Sequence, residues 1–178
     1  AILNKNNNSD SEKKWLNMKF KQYGVKNKDL LTLKIRMDEV PISLAIAQAA
    51  KESGWGTSRF AKEGNALFGQ WTYDDSNGLL PAKRTKGDDH LVKSFDNLRE
   101  SVVSYMNNIN SHKAYDSFRE LRSEFRNRKK PLDSLILVQE LSPYAELPNY
   151  TQILHLIIKK NKLYMFDDIK LVDKDSLV

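Results

Sequence analysis

The chain has no cysteine among its 178 residues, which excludes disulfides and thiolate metal sites. No stretch approaches the ~18 consecutive apolar residues that a membrane-spanning helix needs. The first ten residues, AILNKNNNSD, lack the apolar segment of a signal peptide, and the chain starts at Ala1 rather than Met. We therefore expect a processed or trimmed form, with export left open. Histidine is scarce and scattered (His90, His112 and His155), so neither a metal site nor a cofactor is expected. Charge is only moderately unbalanced, at +6, although Lys and Arg dominate between His112 and Pro131. A solvated helix face is the ordinary explanation of such a run. No nucleic-acid-binding motif accompanies it, so no nucleic-acid partner is expected; attraction to an anionic polymer stays open.

What is present is ordinary for a globular protein: 40% hydrophobic and 29% charged residues, in a length that suits one domain. Residues 1–10 are expected to form a disordered arm, 11–167 a single domain and 168–178 a tail. The most informative stretch is PISLAIAQAAKESGWGTSRFAKEGNALFG, from Pro41 to Gly69. Proline suits a first helical turn, and the residues from Ile42 to Ala50 are almost all small or apolar. Such a helix belongs at the centre of a domain, and Gly54 is placed to close it in a left-handed conformation. Glu52 stands in the last turn, where the helix dipole disfavours an anion. That field, with desolvation beside Ala49 and Trp55, would raise its pKa, as a general acid requires.

Around this centre the remaining elements follow from caps and periodicity. Ser11–Tyr23 reads as an amphipathic helix ended by Gly24, and Asp29 as the cap of a helix over Leu30–Met37. Thr57 is expected to cap a short helix, SRFAKE, closed by Gly64. From Leu67 to Phe95, short apolar and aromatic runs split by DDSNG and KGDD have the grammar of two or three short strands in a β-hairpin lobe. Asn97 and Glu100 form a capping box for a helix with Val102, Tyr105, Met106 and Ile109 on its core face. A basic helix follows with Phe118, Leu121 and Phe125 inward, then helices over DSLILVQEL and QILHLIIKKNKL. His155 is expected as a satisfied core histidine.

The run A-x-A-Q-A-A-x-E-S-G-W-G-T-S-x-F-A followed by N-x-L-F-G resembles the glucosaminidase domain of glycoside hydrolase family 73, in its bacterial Bax-like branch. N-x-N-x-H-x-A-Y-x-x-F-R near His112 and the Tyr-Ala…Pro-x-Tyr pattern at Tyr144–Tyr150 extend the likeness over roughly Leu30 to Asp167. The resemblance implies a mainly α (α+β), lysozyme-like helical domain with a small β-hairpin lobe. It implies a peptidoglycan hydrolase of the periplasm or cell envelope, acting on glycan strands as an endo-β-N-acetylglucosaminidase. Glu52 would be the catalytic acid, and Trp55, Phe68, Trp71 and Tyr150 would meet the sugar.

One departure stands out. Family members usually carry a second carboxylate as a Glu on a hairpin strand, whereas this hairpin has no Glu and aligns Lys83 or Arg84 there. Asp74, Asp75, Asp88 and Asp89 are substitutes, but all fall where turns are expected. The alternative is substrate assistance, in which the N-acetyl group attacks its own anomeric carbon and Tyr144 holds the acetamide. A non-catalytic glycan-binding scaffold, and a muramidase or lytic transglycosylase on the same polymer, are the competing functions.

Overall fold

The computed structural model describes residues 2–4, 8–81 and 91–170. Helix α1 (Asp10–Gln22) begins at a capping box in which the Ser9 side chain accepts from Glu12 N–H and the Glu12 carboxylate from Ser9 N–H. Of the segment expected as an arm, Ile2–Asn4 forms a 3-10 turn, and Ile2 and Leu3 pack against a small cluster of Leu16, Phe20, Val25 and Leu33. Helix α2 (Leu30–Arg36) is capped by Asp29 as expected, and ends short of Pro41.

Helix α3 (Ile42–Ser53) is the central helix, and Gly54 closes it at φ +57°. Pro41 offers no side-chain cap. The free N-terminal amide is met from 124 residues away: Ser43 N–H and Oγ donate to the two oxygens of Asp167 at 2.8 and 2.7 Å. A carboxylate there also suits the helix dipole, so the C-terminal turn Leu163–Phe166 is tied to α3. Helix α4 (Arg59–Gly64) is capped by Ser58, not Thr57, and its left-handed closing residue is Asn65, not Gly64. The Thr57 hydroxyl instead donates back to the Gly54 carbonyl at 2.6 Å.

The lobe is a three-stranded antiparallel sheet of β1 (Trp71–Thr72), β2 (Gly78–Leu79) and β3 (Leu91–Lys93) in the order β1-β3-β2. Trp71 pairs with Val92, and so does Leu79 from the other side. The lobe is therefore not a simple hairpin: β3, whose Leu91 and Val92 are buried, takes the middle, while the more exposed β1 and β2 lie at the edges. Lys83, Arg84, Asp88, Asp89 and His90 lie outside the described residues.

Helix α5 (Leu98–Ser111) starts at Asn97, whose side chain accepts from Glu100 N–H. A 3-10 turn, Lys113–Tyr115, leads into α6 (Asp116–Asn127). The helix expected over DSLILVQEL is only one turn long, α7 (Ser134–Leu137); Val138–Tyr144 continues as a 3-10 helix up to and through Pro143, which cannot donate in an α-helical ladder. Helix α8 (Tyr150–Lys160) closes the fold. The main core gathers Leu44 and Ala47 of α3, Tyr105 and Ile109 of α5, Phe118 of α6, Leu137 and Leu141, and Leu154 and Ile158 of α8. No helix among the described residues is long and apolar enough to cross a membrane.

The basic helix α6 is where composition misleads. Arg119 and Arg122 are buried rather than solvated. Arg119 donates to the carbonyls of Ile109 and His112, at 2.7 and 3.0 Å, and pairs with Asp116. It thereby satisfies carbonyls at the C-terminal end of α5 and fixes the turn that follows. Arg122 donates to the carbonyls of Ile35, Asp38 and Glu39, locking the end of α2 to the approach of α3.

Candidate active site

The end of α3 opens into a cleft of about 850 Å³. Glu52 lies at its floor. One wall is the segment Phe68–Trp71, another holds Asn108, His112 and Tyr115, and a third is Pro143–Glu146. Glu52 is half-buried, and this desolvation pushes its carboxyl pKa up, against a hydrogen bond from Tyr150 and the nearby Lys51 that pull the other way. The net upward direction is that of a group kept protonated to act as an acid.

Four features hold this carboxyl. The Tyr150 hydroxyl donates to Glu52 Oε1 at 3.0 Å. Gln48, one turn back on α3 and fully buried, donates to the Tyr150 hydroxyl at 3.1 Å and accepts from Tyr105 at 2.7 Å. Gly69, at φ +59°, brings bare backbone alongside: a Cβ there would stand 3.5 Å from Glu52 Oε2. At the end of the helix, Ser53 Oγ accepts from Gly56 N–H at 2.8 Å, which folds the Ser-Gly-Trp-Gly turn tightly.

Behind the cleft the aromatic rings form a packed set. Tyr144 stacks on Tyr150 at 5.8 Å between centroids and Phe68 on Tyr105 at 4.0 Å, while Tyr115 lies 6.1 Å from Tyr144. Burial pushes the phenol pKa values of Tyr144, Tyr150 and Tyr115 upward, and the Glu52 charge adds to each. All three therefore remain neutral hydrogen-bonding groups over the working pH range.

The structure brings Glu52, Phe68, Trp71 and Tyr144 to the cleft but changes several expected roles. Phe68 is 3% exposed and its ring stacks on Tyr105 in the core; its carbonyl accepts from the Tyr144 hydroxyl at 2.8 Å. Tyr150 is 1% exposed, does not line the cleft, and donates its hydroxyl proton to Glu52. Trp55 is exposed, with φ +57°, but stands outside the cleft walls. The Tyr144 proton is committed to Phe68, leaving only its oxygen lone pairs for a ligand. Asp74 is an exposed turn residue whose carboxylate accepts from Ser76 and Asn77, and it does not line the cleft. His155 is half-buried, and its buried Nδ1 has no partner among the described residues.

Residues not assigned to the site from sequence are His112, Tyr115, Asn108 and Glu146. The first three sit in the N-x-N-x-H-x-A-Y run, so a signal was present; Glu146, an exposed carboxylate on the third wall, had none.

Trp71 is 61% exposed on an edge strand and lines the cleft, so it contributes little to the lobe core. Trp71→Ala should therefore weaken glycan binding by roughly 3- to 10-fold, the scale of one aromatic stacking contact. Thermal unfolding should change little, against the ~3–5 kcal/mol that truncating a buried aromatic costs. Isothermal titration with glycan fragments and a melting curve check both halves; a large drop in melting temperature with unchanged affinity would reverse the assignment.

A family model described as mannosyl-glycoprotein endo-beta-N-acetylglucosaminidase matches residues 29–163. The chain is similar to Protein bax of Escherichia coli (strain K12), at 36% identity over 114 residues, which is 64% of this chain and 40% of that protein. It thus spans less than half the length of that curated relative. Among solved structures it matches the catalytic domain of the autolysin Auto from Listeria monocytogenes, with a TM-score of 0.48 and 20% identity over 93% of each chain.

Proposed function

The chain belongs to the glucosaminidase family, and from that premise we propose that it is a peptidoglycan hydrolase, an endo-β-N-acetylglucosaminidase with Glu52 as general acid. The observation that carries this reading is the placement of Glu52: half-buried at the floor of the cleft, oriented by Tyr150, with bare Gly69 beside it. The substrate lies in the cell envelope, which is the location we propose.

In the proposed reaction Glu52 gives its proton to the leaving glycosidic oxygen as the C1–O bond breaks. The acetamide carbonyl oxygen of the same sugar attacks C1 to give an oxazolinium. The Tyr144 oxygen, whose lone pairs are free of its own donation, accepts the acetamide N–H and aims that carbonyl. Water then opens the oxazolinium and returns a proton to Glu52, with net retention. Proton NMR of fresh product should show the β-anomer first. An initial α-anomer would overturn substrate assistance and favour Glu146 as a base acting through water across the cleft.

Release of soluble fragments from purified sacculi tests hydrolysis against a binding-only scaffold. Wild-type protein should clear the suspension, with activity falling as pH rises and Glu52 loses its proton. Tight binding to sacculi without release would favour the scaffold.

A further inference from the structure

We infer that Tyr105 and Gln48 are positioning residues: through Tyr150, they hold the acid proton of Glu52 on Oε2, the oxygen that Tyr150 does not contact. This rests on Glu52 being the general acid proposed above.

Three hydrogen bonds run in series from the core to the cleft: Tyr105 hydroxyl to Gln48 Oε1, 2.7 Å; Gln48 Nε2 to the Tyr150 hydroxyl, 3.1 Å; Tyr150 hydroxyl to Glu52 Oε1, 3.0 Å. Their direction is set at the buried end. Tyr105 is fully buried, stacked on Phe68 and edge-on to Tyr144, and among the described residues Gln48 is its hydrogen-bond partner. An amide has one accepting end and one donating end. With its oxygen taken by Tyr105, Gln48 must present its NH₂ to Tyr150. The Tyr150 oxygen is then an acceptor, and its single proton goes to Glu52 Oε1.

The reverse sequence would need Glu52 to donate into Tyr150, Tyr150 into Gln48 Oε1, and Gln48 into Tyr105. The Tyr105 proton would then be stranded among aromatic rings, a costly loss for a buried donor. The forward direction therefore wins. A neutral carboxyl accepts best at its carbonyl oxygen, so Oε1 is that oxygen and Oε2 carries the proton. Oε2 is the atom nearest the open side of Gly69, a residue of the cleft wall. As the proton leaves, the bond from Tyr150 becomes charge-assisted and strengthens, which favours the transition state over the ground state.

The groups facing Glu52 are Tyr150 from α8, Tyr144 from the 3-10 helix after α7, Tyr115 from the turn before α6, and neighbouring Lys51; His112 and Glu146 share the cleft. Tyr105→Phe replaces none of them. It removes the group that orients the amide, so Gln48 can turn its oxygen to Tyr150 and draw the Tyr150 proton away from Glu52. A hydrogen bond to the charged form lowers a carboxyl pKa, so its weakening moves the Glu52 midpoint up.

The test has two arms, neither requiring turnover. Neutron diffraction from a deuterated wild-type crystal below the Glu52 midpoint should place a deuteron on Oε2, the Tyr150 deuteron toward Oε1, and the Gln48 ND₂ toward Tyr150. A deuteron lying between Glu52 and Tyr150 with the amide reversed would overturn the inference. Carboxyl ¹³C NMR titration should show a higher Glu52 midpoint in Tyr105→Phe than in wild type. It should be higher again in Tyr150→Phe, with no further rise in the double variant, because Tyr105 acts only through Tyr150. An unchanged midpoint in folded Tyr105→Phe, or additive rises, would overturn it. If Tyr105→Phe does not fold, the neutron arm decides. In sacculus assays the same variant should lose roughly tenfold in kcat, the effect of one weakened hydrogen bond, with KM little changed and the alkaline limb moved to higher pH. Absence of hydrolysis by wild type would count against the proposed function and leave both structural arms readable.

Discussion

Glu52→Gln should lower peptidoglycan hydrolysis by roughly 10²–10⁴-fold, the usual contribution of a general acid, while making the protein more stable at neutral pH. Gln reproduces the neutral carboxyl closely: its oxygen can accept from Tyr150 and its NH₂ can take the place of Oε2, but it has no proton to transfer. The stability gain follows from the direction of the Glu52 pKa. Burial raises it above the unfolded value, so the fold favours the protonated form. That stabilisation is complete below the unfolded carboxylate pKa and is lost as pH rises through the folded one. Above it the wild type carries an anion that the cleft floor disfavours, and the Gln variant does not. The difference in melting temperature should therefore be positive at neutral pH and close as the solution is acidified. A variant with wild-type turnover would remove Glu52 from the mechanism; a gap that stays constant with pH would contradict its raised pKa.

The largest expected loss of stability is at a residue with no chemical role. Arg122→Met keeps an unbranched chain in a fully buried position but removes the donors that meet the carbonyls of Ile35, Asp38 and Glu39. The carbonyls of Ile35 and Glu39 would lose this partner, while that of Asp38 still accepts from Asn110 Nδ2 at 3.0 Å. Breaking a buried charged contact on one side typically costs ~3–5 kcal/mol. The lower end applies, because the Asp38 carboxylate keeps its ion pair with Arg126 at 2.9 Å. At the ~2–4 °C per kcal/mol usual for a chain of this size, melting should fall by about 6–12 °C. A scanning calorimetry trace checks this, and a shift of only a degree or two would mean that water replaces the guanidinium.

These two positions show what the sequence makes legible and what it hides. Glu52 stands out because a carboxylate in the last turn of a largely apolar helix conflicts with the dipole, and because the Ser-Gly-Trp-Gly turn follows it at once. The central helix, its glycine stop and the Asp29 cap are local events, and local sequence determines them. Arg122 is different. Periodicity places it on α6, but a buried arginine is recognised only by the carbonyls that converge on it, which come from residues more than 80 positions away. The same holds for Asp167, which caps α3 from the far end of the chain. The sequence places Tyr150 and Phe68 near the site, but spacing does not reveal whether a ring faces ligand or core, and both rings are buried. Gln48 had a visible signal, a lone amide in an apolar helix, but its meaning needed the two tyrosines that arrive from α5 and α8. Glu146 is an ordinary exposed loop residue until the third wall folds over the cleft.

The most direct test of the account is mass spectrometry of the reducing ends produced from purified peptidoglycan, with wild type and Glu52→Gln digested side by side. Wild type should yield fragments ending in reducing N-acetylglucosamine, and the Gln variant almost none over the same time. Reducing N-acetylmuramic acid or anhydro-sugar ends, equal yields from the two proteins, or no fragments from wild type would contradict an N-acetylglucosaminidase acting through Glu52.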